Sequence, residues 1–451
     1  MISKKVTGIL LLIGLPLLLF VSILFDIESF LMIGILVFYA TAVFFLYKPF
    51  FGLLVFLLLR PSTDFFIERI SITVFDVRLT ASALFGILII ALALLFVIYY
   101  HEEIFPMPLF LPFFLLVLTL AASILYSIDP VFSMRETVRV CSIFALFILT
   151  WTMLRTHPER RRTFFSVILV SAIIPTLASL FQLVTGTGFS DTADVDGRLL
   201  GTFSNPNTFA AYVMIVGSVF FFFALQTKKW SPQWFGYWCG TVGSLAILVG
   251  TYSRGAWLGF IIFALLYGAF RSPRSIFAVF GISLVLFFAS VNIRDRVEDI
   301  YNPPADSSIL WRLTKWKNTI ESYKEAPLLG FGAGTEVIVH ELHHGYNAGN
   351  PYTHNDSLKL LLENGIFGFV FHTMLLFNVL FLLFKKYNAT KRDDQKDFVM
   401  IIALLFIAEV SFGMSSNIWA GTAMQWLLWS LLALTLSLRK DAPVIPPRKI
   451  A

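Results

Sequence analysis

Three arginines stand in short polar segments between apolar stretches of the chain. Arg198 lies in GRLLGTFSNPN, Arg254 in TYSRGAW and Arg312 in SSILWRLTKW. A guanidinium group can bind two phosphate oxygens at once, so three such groups at one depth would suit a lipid-linked phosphate or diphosphate. Taken singly, each has a simpler reading. Arg198 could pair with Asp194 or Asp196, Arg254 could bind a lipid headgroup, and Arg312 could extend its tip into water.

His354 belongs to the segment THNDSLKLLLENG. The leucines of this segment predict a short helix that ends at Gly365. His354 would then stand at the amino terminus of the helix, where the positive end of the dipole disfavours imidazolium. A neutral ring can accept a proton from a hydroxyl group near neutral pH. His354 is therefore a candidate general base, and the alternative is that it only caps the helix or bonds within its loop.

Further polar residues are secondary candidates for contacts with a substrate. They are Asn205, Asn207, Asn355, Glu363, Glu409 and His372. The last two are the exceptions to a near absence of ionisable groups in the apolar stretches, which disfavours a proton or ion relay. A cluster of three histidines, at 340, 343 and 344, could supply a zinc site, but no glutamate accompanies them as in zinc proteases. We predict no metal and no cofactor.

The elements that must position these residues are membrane helices. The hydrophobic fraction is 57% and the charged fraction 14%, with a mean hydropathy of +0.80. A water-soluble chain of this length could not carry such a composition, and strand-type alternation is missing. Blocks of the length needed for a span recur throughout. We predict spans at 6–25, 30–47, 50–59, 79–100, 109–126, 138–154, 163–184, 207–226, 235–252, 255–270, 275–291, 365–384, 398–415 and 420–438.

The fold class is thus an all-α polytopic membrane protein with about 12–14 transmembrane helices, forming one integral membrane domain over residues 1–451. The first block lacks a small-residue cleavage site, so it is interpreted as a retained span. The third block is short and its assignment as a span is the weakest. The net charge of +6 is spread over many loops, so it gives no basic domain for nucleic acid.

The distribution of Lys and Arg predicts the orientation. With the amino terminus inside, basic clusters at 160–162, 228–229 and 385–396 fall in the cytoplasm, as the positive-inside rule requires. Both termini are then cytoplasmic, and the three arginines and His354 lie on the outer face. Two outer segments, 185–207 and 292–364, are too long for simple connectors. The second contains an amphipathic stretch at 309–323, expected to lie along the membrane surface as a functional helix or a plain anchor.

Four segments of the chain resemble the O-antigen ligase and polymerase superfamily. They are Arg198 with residues 203–207, the turn at 253–255, Arg312 followed by PLLGFG, and His354-Asn355 followed by ENGIFG. Each segment is short, but the set occurs in the expected order within a multispan frame that has one large outer loop. The resemblance covers most of the chain. One departure is the number of spans, since ligases of this family are usually described with twelve.

The resemblance implies a glycosyltransferase that acts on polyprenyl-diphosphate-linked glycans in the cell membrane. By this resemblance, the transfer is metal-independent and inverting, the matched arginines hold the diphosphate, and His354 is the general base. The partners would be a lipid-linked glycan donor, a glycan or lipid acceptor and the bilayer. It leaves open whether the chain is a ligase or a polymerase, and whether the product is an O-antigen, an exopolysaccharide or a teichuronic-type polymer.

Two other classes of protein fit parts of the pattern. A transporter or flippase for a lipid-linked glycan or a small anion would use the arginines to attract its substrate and would form no bond. Such a protein needs a continuous polar path across the membrane. A non-catalytic membrane scaffold would use the outer loop to dock partners, and its function would survive replacement of His354.

Overall fold

A computed structural model describes residues 4–24, 29–67, 69–74, 77–186, 197–304, 307–345 and 352–446. The secondary structure of this part is almost entirely helical. Its helices are α1 (Lys4–Leu24), α2 (Ser29–Tyr47), α3 (Pro49–Ile67), α4 (Ala81–Tyr99), α5 (His101–Ile104), α6 (Phe110–Ser123), α7 (Pro130–Thr156), α8 (Arg161–Ser171), α9 (Ile173–Thr185), α10 (Pro206–Gln226), α11 (Pro232–Gly250), α12 (Arg254–Phe270), α13 (Pro273–Ala289), α14 (Val291–Tyr301), α15 (Ser308–Tyr323), α16 (Glu336–His344), α17 (Asp356–Ala389), α18 (Asp393–Gly413) and α19 (Thr422–Ser437).

Within the described residues, six helical segments are long and apolar enough to cross a membrane. They are Pro49–Ile67, Ala81–Tyr99, Pro130–Thr156, Pro158–Thr185, Pro206–Gln226 and Asp356–Ala389. Shorter apolar helices include Phe110–Ser123, Arg254–Phe270 and Thr422–Ser437. The predicted class, an all-α polytopic membrane protein, is confirmed. The count of 12–14 spans stays a prediction.

Several helix boundaries differ from those expected. The predicted short span at 50–59 is the first half of α3, which continues through a buried ion pair between Arg60 and Asp64 at 2.7 Å. The single predicted span at 163–184 is divided into α8 and α9 around Ala172. A small antiparallel hairpin, β1 (Ser71–Val74) and β2 (Val77–Thr80), precedes α4. The hairpin was not predicted, because its polar residues resemble an ordinary loop.

The last helix, α19, lies at the centre of the bundle, since every one of its residues is buried. Helices α7, α3, α10 and α18 surround it. A helix that is buried on all sides is expected to be apolar around most of its surface, as the sequence of α19 is. The ring centroids of Trp429 and Phe113 are 4.5 Å apart. The start of α19 therefore carries the loop before it, residues 414–421, to the middle of one end of the bundle.

That same end, which we call the site end, collects all four residues singled out above. It is formed by the starts of α10, α12, α17 and α19 and by the ends of α3, α11 and α18. The amphipathic stretch predicted at 309–323 is α15, which packs on α16 and α17. Its apolar residues Leu310, Leu313 and Ile320 are exposed, so they can face a membrane surface while the opposite side covers the site end.

The glycine-rich segment 326–335 crosses α17 in direct backbone contact. Phe331 N–H donates to Leu362 O at 3.2 Å, Gly332 N–H to Glu363 O at 2.8 Å and Ile366 N–H to Pro327 O at 2.9 Å. Gly365 has φ 59° and ψ −160° and interrupts α17 without ending it. The helix was predicted to stop there, and instead it kinks and continues into the membrane. A Cβ atom on Gly330 would lie 2.4 Å from Glu363 C, so only glycine lets the loop and the helix come this close.

Replacing Gly365 with alanine is expected to lower the free energy of unfolding by about 3 kcal/mol or more, because its backbone conformation is almost exclusive to glycine. A Cβ atom there would also lie 2.2 Å from Leu328 O. The midpoint of thermal unfolding in detergent, followed by tryptophan fluorescence, measures the effect. Gly243→Ala is the matched control, since Gly243 has open space around its Cβ position. An equal midpoint for both variants would contradict the packing described here.

Candidate active site

Arg198 is held by the start of α10 and by the turn between α11 and α12. Its Nε donates to Thr251 O at 2.8 Å, and one terminal nitrogen donates to Asn207 Oδ1 at 3.2 Å. Ser253 Oγ donates to the same Asn207 oxygen at 2.8 Å. Asn207, a predicted substrate contact, thus joins Arg198 to the residue directly before Arg254. The arrangement fixes the position of the Arg198 guanidinium from two segments of the chain.

Arg254 is the first residue of α12 and forms an ion pair with Asp299 of α14. The distance from Arg254 Nη1 to Asp299 Oδ2 is 3.3 Å, and the two side chains are 14% and 31% exposed. The sequence interpretation did not include Asp299, which lies 45 residues further along the chain. The partly exposed carboxylate of Asp299 partly neutralises the positive charge of Arg254. An anionic ligand at this position would compete with Asp299 for the guanidinium.

His354 lies directly before α17, close to α15. The ring centroids of His354 and Trp311 are 5.4 Å apart. Trp316 Nε1 donates to Thr353 O at 2.9 Å, which fixes the backbone before the histidine. His354 has φ 50°, a left-handed conformation that is uncommon outside glycine. Its Nδ1 atom is buried and has no hydrogen-bond partner in the described part of the chain.

Burial, and next the positive charge of Arg312, lower the pKa of His354 to about 4. The imidazole is therefore neutral at pH 7, as the sequence predicted. The reason is different, because the prediction invoked a helix dipole, and the structure adds burial and a neighbouring cation. Helix α15 thus brings both Trp311 and Arg312 close to His354. A neutral ring next to a cation is ready to accept a proton when an anionic ligand offsets that cation.

His354 faces a cavity of about 290 Å³ at the site end. Its walls include Asp64 at the end of α3, Asn205 and Thr208 at the start of α10, and Asn417 and Thr422 before and within α19. Asn205 caps α10 by accepting from Asn207 N–H at 2.7 Å. The cavity therefore connects His354 with the start of α10, to which Arg198 is bonded. The three arginines lie outside the lining of this cavity, and Arg198 reaches its edge through Asn207, two residues after the cavity-lining Asn205.

A buried ion network lies next to this cavity and was not predicted. Glu136 on α7 accepts from Arg139 at 2.6 and 2.8 Å and from Lys359 on α17 at 2.9 Å. Lys359 also lies 3.7 Å from Glu363, whose other oxygen accepts from Glu336 N–H at 3.2 Å. Glu363, a predicted substrate contact, is thus fully buried within the network. The sequence signal was available, since Glu136 and Arg139 are charges three residues apart beside an apolar block.

Two residues at the start of α17 have clear structural roles. Asn355 caps the helix through its Oδ1, which accepts from Ser357 and Leu358 N–H at 3.1 Å, and its Nδ2 donates to Met414 O at 3.0 Å. Asp356 accepts from Ile418 N–H at 3.1 Å. Both side chains tie the segment that carries His354 to the loop between α18 and α19. Asn355 was predicted as a possible substrate contact, and these bonds favour a positioning role.

Glu409 and His372 do not line the His354 cavity, which corrects the prediction for both. The His372 ring lies against Trp419 with centroids 4.7 Å apart, and Glu409 borders a much smaller void beside the same tryptophan. Both side chains are buried, and their polar side-chain atoms have no hydrogen-bond partner in the described part of the chain. The Trp419 ring also packs on Trp429 of α19, with centroids 5.7 Å apart.

The three loop histidines have separate partners. His340 contacts the hydroxyl groups of Thr319 and Thr353, each at 3.2 Å, while His343 contacts Glu325 at 3.1 Å and His344 contacts Ser322 at 3.0 Å. Among the residues that the structure describes, no group of three metal-ligating side chains comes together. The histidines stabilise the loop that covers the site, and the prediction that no metal binds stays a prediction.

Comparison with known proteins agrees with the resemblance noted in the sequence. Residues 239–373 match the family model of the O-antigen ligase, a stretch that includes Arg254, Arg312 and His354. The exopolysaccharide production protein ExoQ of Rhizobium meliloti (strain 1021) is 26% identical over 250 residues, which cover 51% of this chain and 57% of that protein. Residues 239–373 are thus similar to the O-antigen ligase family, and the chain spans little more than half the length of the exopolysaccharide production protein that it matches.

Proposed function

We propose that this chain is a membrane glycosyltransferase that transfers or polymerises a glycan carried on a polyprenyl diphosphate. The observation that carries the proposal is the His354 cavity, where a neutral histidine, influenced by the nearby charge of Arg312, faces the start of α10. Arg198 donates to Asn207 at that start. Arg254 directly follows Ser253, which donates to the same Asn207 oxygen. A base at a cavity, with fixed cations on the neighbouring segments, supplies the groups that glycosyl transfer from a diphosphate requires.

In the proposed step, an acceptor hydroxyl oxygen forms a bond to the anomeric carbon of the donor sugar. The bond from that carbon to the diphosphate oxygen breaks, and its electron pair leaves with the diphosphate. The three arginines stabilise the negative charge that develops on the phosphate oxygens. The hydroxyl proton passes to the His354 ring. Attack opposite the leaving group inverts the configuration of the anomeric carbon.

A groove of about 410 Å³ between α10, α11 and α12 supports the assignment of the donor lipid. Its lining is mainly apolar and includes Met214, Phe221 and Phe263. One end lies at Leu248, about one helical turn before Thr251, whose carbonyl oxygen accepts from Arg198. A polyprenyl chain in this groove would place its diphosphate beside Arg198 and Arg254.

The proposed location of the site is the outer face of the cytoplasmic membrane. The end of the bundle opposite the site end is rich in arginine and lysine. Arg271 pairs there with Asp397 at 2.7 Å, Arg161 donates to Pro443 O at 3.2 Å, and Lys386 donates to the carbonyl of Leu436 at 3.2 Å. Cytoplasmic loops carry the excess of positive residues in membrane proteins. This supports cytoplasmic termini and an external His354.

The test is polymer formation from purified polyprenyl-diphosphate-linked oligosaccharide in liposomes containing EDTA. A ladder of lengthened lipid-linked chains indicates a polymerase, and a single transfer to another acceptor indicates a ligase. Released polyprenyl diphosphate should match the bonds formed one to one. If no bond forms with any acceptor and the lipid-linked glycan moves between leaflets, the chain is a flippase and the proposed function is wrong.

The pH dependence of the reaction should reflect the environment of His354. We expect kcat/KM to stay nearly constant from about pH 8 to about pH 5 and to fall only near the pKa of about 4, since a base must be unprotonated to act. An ordinary histidine would lose activity below about pH 6.5. Arg312→Gln removes a charge that lowers this pKa, so its acidic limb should move to higher pH. The assignment is wrong if kcat/KM of the wild-type protein already falls at about pH 6.5 and Arg312→Gln does not shift that pH.

A further inference from the structure

A second cavity of about 330 Å³ adjoins the His354 cavity. The two share Tyr352, Ala420 and Thr422 in their walls. The rest of the second cavity is formed by α4, α7, the start of α16 and the first turns of α17. None of these elements carries Arg198, Arg254 or Arg312. The second cavity therefore extends from the shared wall toward elements other than those that hold the proposed diphosphate site.

The lining of the second cavity combines carboxylates, cations, hydroxyl groups and aromatic rings. Its principal members are Glu136, Glu336, Glu363, Arg135, Ser142 and Phe132. Carboxylates and guanidinium groups bond to sugar hydroxyls, and aromatic faces pack on the apolar face of a pyranose ring. A lipid chain would leave the Nε atom of Arg135 without a partner. The chemistry of the lining therefore fits a glycan.

Arg135 is the lining residue best placed to contact a ligand. Its neighbours Glu136 and Arg139 bond to each other, whereas Arg135 forms no ion pair with the described residues. Its guanidinium lies 5.4 Å from the centroid of the Phe132 ring. Its Nε atom is buried without a hydrogen-bond partner in the described part of the chain. A buried donor of this kind usually has a partner in the functioning protein.

We propose that the second cavity binds the glycan of the acceptor, with Arg135 donating a hydrogen bond to it. The inference rests on the proposed transferase function. In an inverting displacement the acceptor hydroxyl approaches the anomeric carbon from the side opposite the diphosphate. The arginines and the donor groove occupy the α10 to α12 side and α15. The acceptor then enters from the α4 and α7 side, past Tyr352, and presents its hydroxyl to His354.

The test uses a soluble acceptor, the repeat-unit oligosaccharide on an alkyl aglycone, which lacks a diphosphate and can only accept. Ala83→Trp places a large ring in the second cavity without changing His354 or the ion network. Ala91→Trp on the same helix is the matched control, because residue 91 is exposed. Arg135→Gln tests the proposed hydrogen bond. The KM values for acceptor and for lipid-linked donor are measured separately for each variant.

We expect the acceptor KM to rise about tenfold or more in Ala83→Trp and Arg135→Gln, a change worth roughly 1.4 kcal/mol of binding. The donor KM should stay at the wild-type value, and Ala91→Trp should change neither. An unchanged acceptor KM, or a rise in the donor KM alone, overturns the proposal while leaving the transferase function intact.

Binding can also be measured without turnover, by saturation-transfer NMR with the same oligosaccharide and each purified protein. A signal from the wild-type protein that Ala83→Trp abolishes supports the cavity as a glycan site. Equal signals from the two proteins reject it. Either result stands whether or not the transferase assay yields product, so failure of this inference and failure of the proposed function are distinguishable.

Discussion

Replacing His354 with alanine is expected to lower kcat by about 10²–10⁴-fold, the usual contribution of a general base. The donor KM should change little, because the proton is transferred only in the transition state. The measurement is the initial rate of glycosidic bond formation at saturating donor and acceptor near neutral pH. His354→Asn should lose as much activity, and it keeps a residue type that tolerates the left-handed backbone at this position.

His343→Ala is the matched control for His354. His343 lies on α16 within the same loop region, contacts Glu325 at 3.1 Å and does not line the His354 cavity. Its variant should retain wild-type kcat. If His354→Asn elutes as a folded protein and keeps full activity, His354 is not the base and the neutral ring has another purpose.

Replacing Arg254 with alanine is expected to lower kcat/KM for the lipid-linked donor by about 10²–10³-fold, as for other fixed groups that stabilise transition-state charge. Arg254 opens α12, where the positive end of the helix adds to its effect on a phosphate. Arg254→Lys should recover only part of the loss, because an ammonium group lacks the two-pronged geometry. Initial rates at several donor concentrations give the ratio.

Two further variants separate the role of Arg254 in binding from its ion pair. Asp299→Asn removes the competing carboxylate and should lower the donor KM. Lys317→Ala removes a cation from the exposed side of α15, where the side chain is 76% exposed, and should change neither constant. If Arg254→Ala lowers only thermal stability and folded molecules keep their kcat/KM, the arginine serves only to hold α14.

The fold class could be predicted from local features of the sequence, and the residues proposed for the site were chosen from the same kind of feature. Long apolar blocks require a bilayer, and a charge such as Arg254 in a tight turn between two blocks needs an anion. Partners that lie far along the chain could not be predicted. Lys359 and Glu136 are 223 positions apart, and nothing in either segment indicates that α17 packs beside α7.

The kink at Gly365 and the environment of His354 show a second limit of local patterns. A glycine after a leucine-rich turn is typical of a helix end, but here the segment at 326–335 occupies the groove beside it and the helix resumes. The dipole at a helix start can be seen in a sequence. The burial of His354, which lowers its pKa most, arises from α15 and the loop before α19 and is a property of the assembled bundle.

The buried network of Glu136, Arg139 and Lys359 has a consequence for how the chain is made. Helix α7 enters the bilayer early in synthesis, and there Glu136 and Arg139 can neutralise each other along one helix surface. Lys359 is translated more than two hundred residues later, with Glu363 one turn further along the same helix. Docking of α17 onto α7 therefore joins two pairs that each form within one helix, and the same contact brings the segment that carries His354 into place.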